Sequence, residues 1–191
     1  MLRILLIDNY DSFTYNLVHL LLKNGDCSVV VKRNDEFSEN YLKKNEFAAF
    51  VISPGPKRPK NANMSNIVIK KYYNKSPILG VCLGMQCINE FFGGLTIKSQ
   101  YPMHGKKTKI KRKDKSLLLQ KTPSSFYVAR YHSLICRVKS EDIVITSETY
   151  GQSVPMSIEH KEYPIFGVQF HPESFMSEQG DLIIQNFLAR I

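Results

Sequence analysis

The run Ile78-Leu79-Gly80-Val81-Cys82-Leu83-Gly84-Met85-Gln86 constrains this chain more than any other stretch. It reads as a short buried strand, a tight turn and the start of a helix, with the turn in the form Gly-x-Cys-x-Gly. That is the layout of a nucleophile elbow, with a thiol where many hydrolases carry a hydroxyl. Gly80 and Gly84 lack Cβ atoms, so strand and helix can crowd together around the residue between them. A side chain held there points away from the sheet. The helix behind it aims its first N–H groups and its positive dipole end at the same place, a setting that favours the thiolate. A lone cysteine after an apolar run is otherwise a small core residue, so the elbow gains meaning only if the chain also supplies a base.

The elbow strand is the fourth of a series. Arg3 to Ile7 is a continuous apolar run, the mark of a strand buried on both faces. Asp8-Asn9-Tyr10-Asp11-Ser12 is a polar turn in which Asp11 or Ser12 is placed to cap the next helix. Phe13, Leu17, Leu20, Leu21 and Asn24 form that helix's inward stripe, and Gly25 stands where a C′ glycine ends it. Strands follow at Ser28–Lys32 and Ala48–Ser53, with a short helix at Glu39–Lys44 between them and another at about Asn66–Asn74. Pro54-Gly55-Pro56-Lys57-Arg58-Pro59 cannot run as helix. It makes a rigid loop at the C-terminal end of a strand, where open α/β sheets bind ligands. The order βαβαβαβα implies parallel strands with right-handed crossovers.

Past Phe92-Gly93-Gly94 the texture changes to short, often alternating runs: Leu95–Lys98, Thr108–Arg112, Phe126–Tyr131, Ile143–Glu148, Val154–Glu159 and Ile165–Gln169. Asp181 to Ala189 closes the chain as a helix. The expected fold is one α/β domain over residues 1–191, with a mixed, mostly parallel sheet and helices on both faces.

Composition narrows the function classes. The 191 residues suffice for one sizeable core, and 43% hydrophobic with 23% charged residues is ordinary for a globular protein. No apolar run approaches the roughly 20 residues that span a bilayer. The short run after Met1 closes at Asp8 without the layout of a signal peptide, so a cytoplasmic or organelle-stromal protein is expected. The four cysteines, Cys27, Cys82, Cys87 and Cys136, show neither Cys-x-x-Cys nor zinc spacing. The net charge of +9 raises nucleic acid as a partner, but seven of the basic residues fall between Lys106 and Lys115 against the single acid Asp114. That alternating stretch reads as a solvated edge strand or hairpin guarded by lysine. The interleaved aromatics or known module that a nucleic-acid site wants are missing.

A thiolate needs a base within reach, and the base needs an orienting acid. The histidines are His19, His104, His132, His160 and His171. His19 lies in the first helix, and His160 sits in what looks like a solvated turn. His171 leaves the end of a buried strand as His171-Pro172-Glu173. Residues two apart on an extended chain point the same way, so Glu173 lies beside His171 and can take its ring N–H.

Cysteine, histidine and glutamate at strand ends beside a Gly-Pro loop resemble the class I, triad-type glutamine amidotransferases, whose fold is flavodoxin-like. The likeness covers essentially the whole chain. It is carried by Asp8–Leu17, Ile52-Ser-Pro-Gly-Pro56, Gly80-Val-Cys-Leu-Gly84 with Gln86, Phe92-Gly-Gly94, Met103-His-Gly-Lys106, Arg130-Tyr-His-Ser-Leu134 and Gly167–Ser174. The first of these and Arg130–Leu134 are most similar to the small glutaminase subunits of anthranilate synthase and 4-amino-4-deoxychorismate synthase.

The resemblance implies that Cys82 attacks the side-chain amide of L-glutamine, with His171 as base and Glu173 orienting it. The backbone N–H groups of Gly55 and Leu83 would face the oxyanion. Gly55, Pro56, Lys57, Gln86, Ser133 and Leu134 match positions around the glutamine, and His132 is structural. Ammonia would pass through a channel to a large chorismate-binding synthase subunit that keeps its own magnesium. No metal or cofactor is expected on this chain, and neither nucleic acid nor membrane among its partners. The Asp8–Ser12 and Met103–Lys106 stretches would contribute to the surface that meets the synthase. The pattern departs from the family's at Lys57, at Met85, and at His104-Gly-Lys-Lys-Thr. Remaining alternatives are a free-standing hydrolase and a basic nucleic-acid-binding protein.

Overall fold

The computed structural model describes residues 1–191 apart from positions 101, 104 and 114. Its first half is β1 (Leu2–Asp8), α1 (Thr14–Asn24), β2 (Cys27–Arg33), α2 (Glu39–Lys44), β3 (Ala49–Ile52), α3 (Met64–Tyr72), β4 (Ile78–Val81) and α4 (Leu83–Phe91), with a single 3-10 turn at Pro59–Asn61. The second half is β5 (Leu95–Lys98), β6 (Lys106–Arg112), β7 (Ser125–Arg130), β8 (Leu134–Arg137), β9 (Ile143–Thr149), β10 (Pro155–His160), β11 (Ile165–Val168) and α5 (Gly180–Leu188).

Among the described residues one sheet has the order β2-β1-β3-β4-β11-β10-β9-β6-β7. From β2 to β11 every pairing is parallel. Beyond β11 every pairing is antiparallel. The expected mixed, mostly parallel sheet is present, with helices on both faces. Side chains alternate across β1: Ile4 and Leu6 pack with Leu17 and Leu21 of α1 and Ile183 and Phe187 of α5. Leu5 and Ile7 pack on the other side with Val68 and Ile69 of α3 and Ile88 of α4. All four β1 residues are wholly buried. Each such side chain contributes about 1.5–3 kcal/mol by leaving water, which is why this run cannot be anything but a central strand. No helix among the described residues is long and apolar enough to cross a membrane.

Several expectations are corrected. Leu134–Arg137 is a strand that the sequence did not announce. It pairs with β5 in a separate two-stranded sheet, so Leu95–Lys98 is not part of the main sheet. Only Cys136 of β8 is fully buried, which leaves too little alternation to read. Gly25 closes α1 in extended backbone, φ −162° and ψ 159°, not in the left-handed form of a C′ glycine. Phe13 precedes the helix and stays half exposed, while Thr14, Leu17, Val18 and Leu21 make the buried stripe. Neither Asp11 nor Ser12 is the N-cap. Asp11 instead accepts the N–H of Phe13 at 2.9 Å, one residue ahead of the helix.

β6 forms a hairpin-like pair with β7, the true edge, over Lys106–Lys111. Its other side pairs with β9 only from Ile110 to Arg112. Its lysines lie over aromatic rings of neighbouring segments, Lys107 over Tyr127 and Lys109 over Tyr150. His160 is no loose turn residue. Its Nδ1 accepts the N–H groups of Glu162 and Tyr163, and its ring packs against Phe92 and Tyr163.

Candidate active site

The site is assembled at the C-terminal ends of β1, β3, β4 and β11, with a loop from the end of β7 folded over it. In the β4–β11 register Gly80 faces Gly167 and Val81 faces Val168. This delivers Cys82 and the residues after Val168 to the same end of the sheet. The Cys82 N–H donates to the Val168 carbonyl at 2.7 Å.

Cys82 sits at φ 51° and ψ −100°, a strained backbone for a residue with a side chain, and is the N-cap of α4. Crowding enforces this geometry. A Cβ on Gly80 would strike the backbone of Gly84, and one on Gly84 would lie 2.5 Å from the Ile52 carbonyl oxygen. Leu83 opens α4, so its N–H has no helical carbonyl four residues back to bond.

His171 and Glu173 meet as the alternation predicts. Nδ1 of His171 lies 2.6 Å from Oε1 of Glu173. The ring is further held edge-on to Tyr131, centroids 4.9 Å apart. Nε2 of His171 has no hydrogen-bond partner in the protein, which leaves it as the atom able to exchange a proton. Burial alone would pull the histidine's pKa down. The adjoining Cys82 sulfur and the Glu173 carboxylate outweigh it, and His171 is pushed up to about 10. The other three cysteines are held as thiols: burial raises Cys27, Cys87 and Cys136.

The residues expected around a substrate come together. Gly55, Pro56, Lys57, Cys82, Leu83, Gln86, Ser133 and Leu134 line one cavity of about 300 Å³ with Tyr131 and His132. A second cavity of about 250 Å³ also reaches Cys82, and is lined besides by His171, Asp11, Phe13 and the Pro54–Pro56 loop. Cys82 lines both cavities. Lys57 is exposed and stands at φ 72°, left-handed for a non-glycine residue.

The sequence missed four participants. Buried Asn9 ties the strand ends: its N–H and Nδ2 donate to Ser53, and its Oδ1 accepts from Asn34 and Ser65. Asp11 lines the second cavity, and burial raises its pKa. Tyr131 braces His171. Gln169 places Nε2 3.5 Å from the Cys82 sulfur. Gln169 was legible: it stands two residues before His171, so the alternation that pairs His171 with Glu173 extends one step back.

His132, expected to be structural, accepts at Nε2 from Nε of buried Arg130 and donates from Nδ1 to the Leu134 carbonyl. His19 is exposed on α1. His104, within the Met103–Lys106 match, lies outside the described residues, as does Asp114 of the basic stretch. Among the described residues no group of three or more His, Cys, Asp or Glu side chains is arranged to hold a metal ion.

Fold and site together define an α/β protein with a cysteine elbow backed by a buried histidine–glutamate pair. A family model described as glutamine amidotransferase class-I matches residues 5–191, and the chain belongs to that family of enzymes. It is 41% identical over 189 residues to anthranilate synthase component 2 of Thermus thermophilus, covering 98% of this chain and 92% of that one. It is 42% identical over 189 residues to aminodeoxychorismate/anthranilate synthase component 2 of Bacillus subtilis, covering 97% and 95%. A bifunctional protein TrpGD of Thermotoga maritima is 42% identical, and there the chain spans only 32% of the relative's length. Among solved structures, a Thermoplasma acidophilum protein named as one of the subunits of GMP synthase superposes with a TM-score of 0.88 at 25% identity, covering 99% of this chain and 93% of that one.

Proposed function

We propose that this chain, acting as one domain over residues 1–191, is the glutaminase subunit of a chorismate-aminating synthase. It hydrolyses L-glutamine to glutamate and ammonia and passes the ammonia to a large synthase subunit. The observation that carries this reading is the buried His171–Glu173 pair beside the strained Cys82, which lines a cavity of about 300 Å³.

In the first step the Cys82 sulfur bonds to the side-chain carbonyl carbon of glutamine. The carbonyl oxygen takes the negative charge and meets the N–H groups of Gly55 and Leu83. Each such donor lowers a barrier by about 3 kcal/mol. The C–N bond then breaks, and the proton held at Nε2 of His171 goes to the departing nitrogen as ammonia leaves. Nε2 next takes a proton from water, whose oxygen attacks the thioester. Glutamate leaves and the cysteine is restored. Glu173 keeps the other ring nitrogen protonated throughout.

Gln86 lines the cavity with its Nε2 already donating to Leu134 and Gln169. What it can offer the substrate is its oxygen, an acceptor suited to an α-ammonium group. Ser133 and Leu134 line the same end of the cavity, and Lys57 sets a positive charge at the rim, suited to an α-carboxylate.

The chain itself needs no metal or cofactor for these steps, and magnesium belongs to the synthase subunit. The Asp8–Ser12 turn and the Met103–Lys106 stretch contribute to the surface that meets that subunit, the basic Lys106–Lys115 stretch steers an acidic patch on it, and the setting is cytoplasmic or stromal. Anthranilate synthesis, leading to tryptophan, is the first assignment. Aminodeoxychorismate synthesis, leading to folate, is the second, favoured by the name of the Bacillus subtilis relative, which carries both.

The test is glutamate release by the purified chain, alone and with an anthranilate synthase large subunit, chorismate and magnesium. Release that rises with the large subunit and disappears in Cys82→Ser supports the proposal. Equal release without any large subunit points to a free-standing hydrolase. No release in any mixture, including one with an aminodeoxychorismate synthase large subunit, overturns it.

A further inference from the structure

Cys82 has a second polar neighbour that the mechanism above leaves unused. Gln169 is wholly buried just past β11, and its Nε2 lies 3.5 Å from the Cys82 sulfur. Which end of this amide faces the sulfur is decided by its surroundings. The Leu134 carbonyl can only accept, so the Gln86 atom 3.3 Å from it must be the donor Nε2. That same Nε2 is 3.2 Å from Gln169, whose facing atom must therefore be the acceptor Oε1. Turning Gln86 over would set its oxygen against two acceptors at once. With Oε1 committed, Gln169 turns its N–H hydrogens to the sulfur. The anchor is itself fixed: the Leu134 carbonyl also accepts the Nδ1–H of His132 at 2.9 Å, and His132 Nε2 accepts from Arg130 Nε at 3.0 Å.

We propose that Gln169 is a further catalytic residue: it donates a hydrogen bond to the Cys82 sulfur and, with His171, holds the nucleophile as a thiolate. The proposal rests on Cys82 being the nucleophile of the glutaminase reading above. A thiolate is a stronger acceptor than a thiol or a thioester sulfur, so the bond favours the charged resting state and weakens once the sulfur is acylated. It also favours expulsion of the sulfur when water attacks the thioester. His171 gives or takes a proton in each half of the cycle. A neutral amide has none to lose, so Gln169 supplies its share of stabilisation at every pH.

The experiment is the rate of Cys82 alkylation by iodoacetamide from pH 5 to 10, read by peptide mass spectrometry, in the wild type, Gln169→Leu and Gln169→Glu. Removing the donor in Gln169→Leu should raise the midpoint by about one pH unit, a tenfold lower rate at any pH below it. Gln169→Glu keeps the acceptor for Gln86 but turns an oxygen toward the sulfur, and should raise the midpoint further. An unchanged midpoint in both variants, with melting temperatures near the wild type, overturns the proposal. If the variants do not fold, the wild type decides. One side-chain amide proton of Gln169, followed by NMR, should shift with the alkylation midpoint and lose that shift in Cys82→Ala. A resonance indifferent to Cys82 ionisation overturns the proposal equally.

Labelling by 6-diazo-5-oxo-L-norleucine, a reactive glutamine analogue, separates the two readings. Cys82 that takes iodoacetamide but never the analogue defeats the glutamine assignment, and with it Gln169's catalytic role, while a moved midpoint still shows the bond from Gln169 to the sulfur. Normal labelling by the analogue with an unmoved midpoint defeats Gln169 alone.

Discussion

Nδ1 of His171 and Oε1 of Glu173 are 2.6 Å apart, with 5% and 2% of the two side chains exposed. A histidine raised from its ordinary 6.5 to about 10 in the folded state binds its proton more tightly there than in the unfolded chain. Its stabilisation is therefore complete below pH 6.5 and is lost as pH rises through about 10. His171→Ala leaves Glu173 buried without its partner. The melting temperature should lie several degrees below the wild type at pH 6.5, with the gap closing toward pH 10. In Cys82→Ser the sulfur's contribution is gone, and the His171 ring should titrate lower than in the wild type when followed by NMR. A gap that stays constant with pH would show that the pair stabilises nothing by its charge.

Lys57 carries a side chain where the backbone calls for none. At φ 72° its left-handed conformation costs about 1 kcal/mol that glycine avoids, and its exposed side chain gives up little packing on removal. Lys57→Gly should raise stability by about 1 kcal/mol, or 2–4 °C in melting temperature for a chain of this size. The same variant should raise KM for glutamine if the cation at the rim helps to hold the α-carboxylate. Steady-state kinetics beside thermal melting reads both effects.

Gly84→Ala acts in the opposite direction. The added methyl would sit 2.5 Å from the Ile52 carbonyl oxygen and close to the Ile52 side chain. β3 or α4 must shift to admit it, and either shift moves the Ser53–Gly55 loop relative to Cys82. A loss of about 1–3 kcal/mol is expected, together with slower alkylation of Cys82. Urea unfolding and the alkylation rate should fall together.

Glu159 is a buried carboxylate with a purely structural task. It accepts the N–H groups of Leu117 and Leu118 at 2.9 and 3.1 Å and the hydroxyl of Ser116. These bonds fasten the long connection between β6 and β7. Glu159→Ala removes the acceptor of the buried Leu118 N–H and Ser116 hydroxyl and of the part-buried Leu117 N–H, and should cost about 2 kcal/mol or more. The Leu117 and Leu118 amides should then lose their protection in hydrogen exchange before the central strands do.

Much of this architecture was readable because the signals are local. The apolar run Ile4–Ile7 could only be buried on both faces, Gly80 and Gly84 could only mark a crowded turn, and His171-Pro172-Glu173 fixed its own geometry. What escaped depended on partners distant in the chain. β8 has one fully buried residue and takes its strand form from β5. Gly25 reads as a helix cap by position, yet the chain leaves α1 already extended to enter β2. Phe13 has the spacing of a core residue, but it falls before the first helical turn and stays at the mouth of the site. The role of Asn9 rests on Asn34, Ser53 and Ser65, three segments that no spacing rule connects to it. The basic strand read as an edge is paired on both sides only at Ile110 and Lys111, where β9 meets it.

The pairing of β4 with β11 beside Cys82 has a further consequence for how such a chain is made. The thiol is synthesised long before its partners, with Gln169 87 positions further on and His171 beyond that. Until β11 slots in beside β4, the elbow has neither an imidazole nor an amide donor beside its sulfur. On the proposed glutaminase reading, an unfinished or half-folded copy lacks the nucleophile's neighbours, which arrive only with the last strand of the sheet. On that reading, labelling of this one sulfur reports that the whole chain has closed.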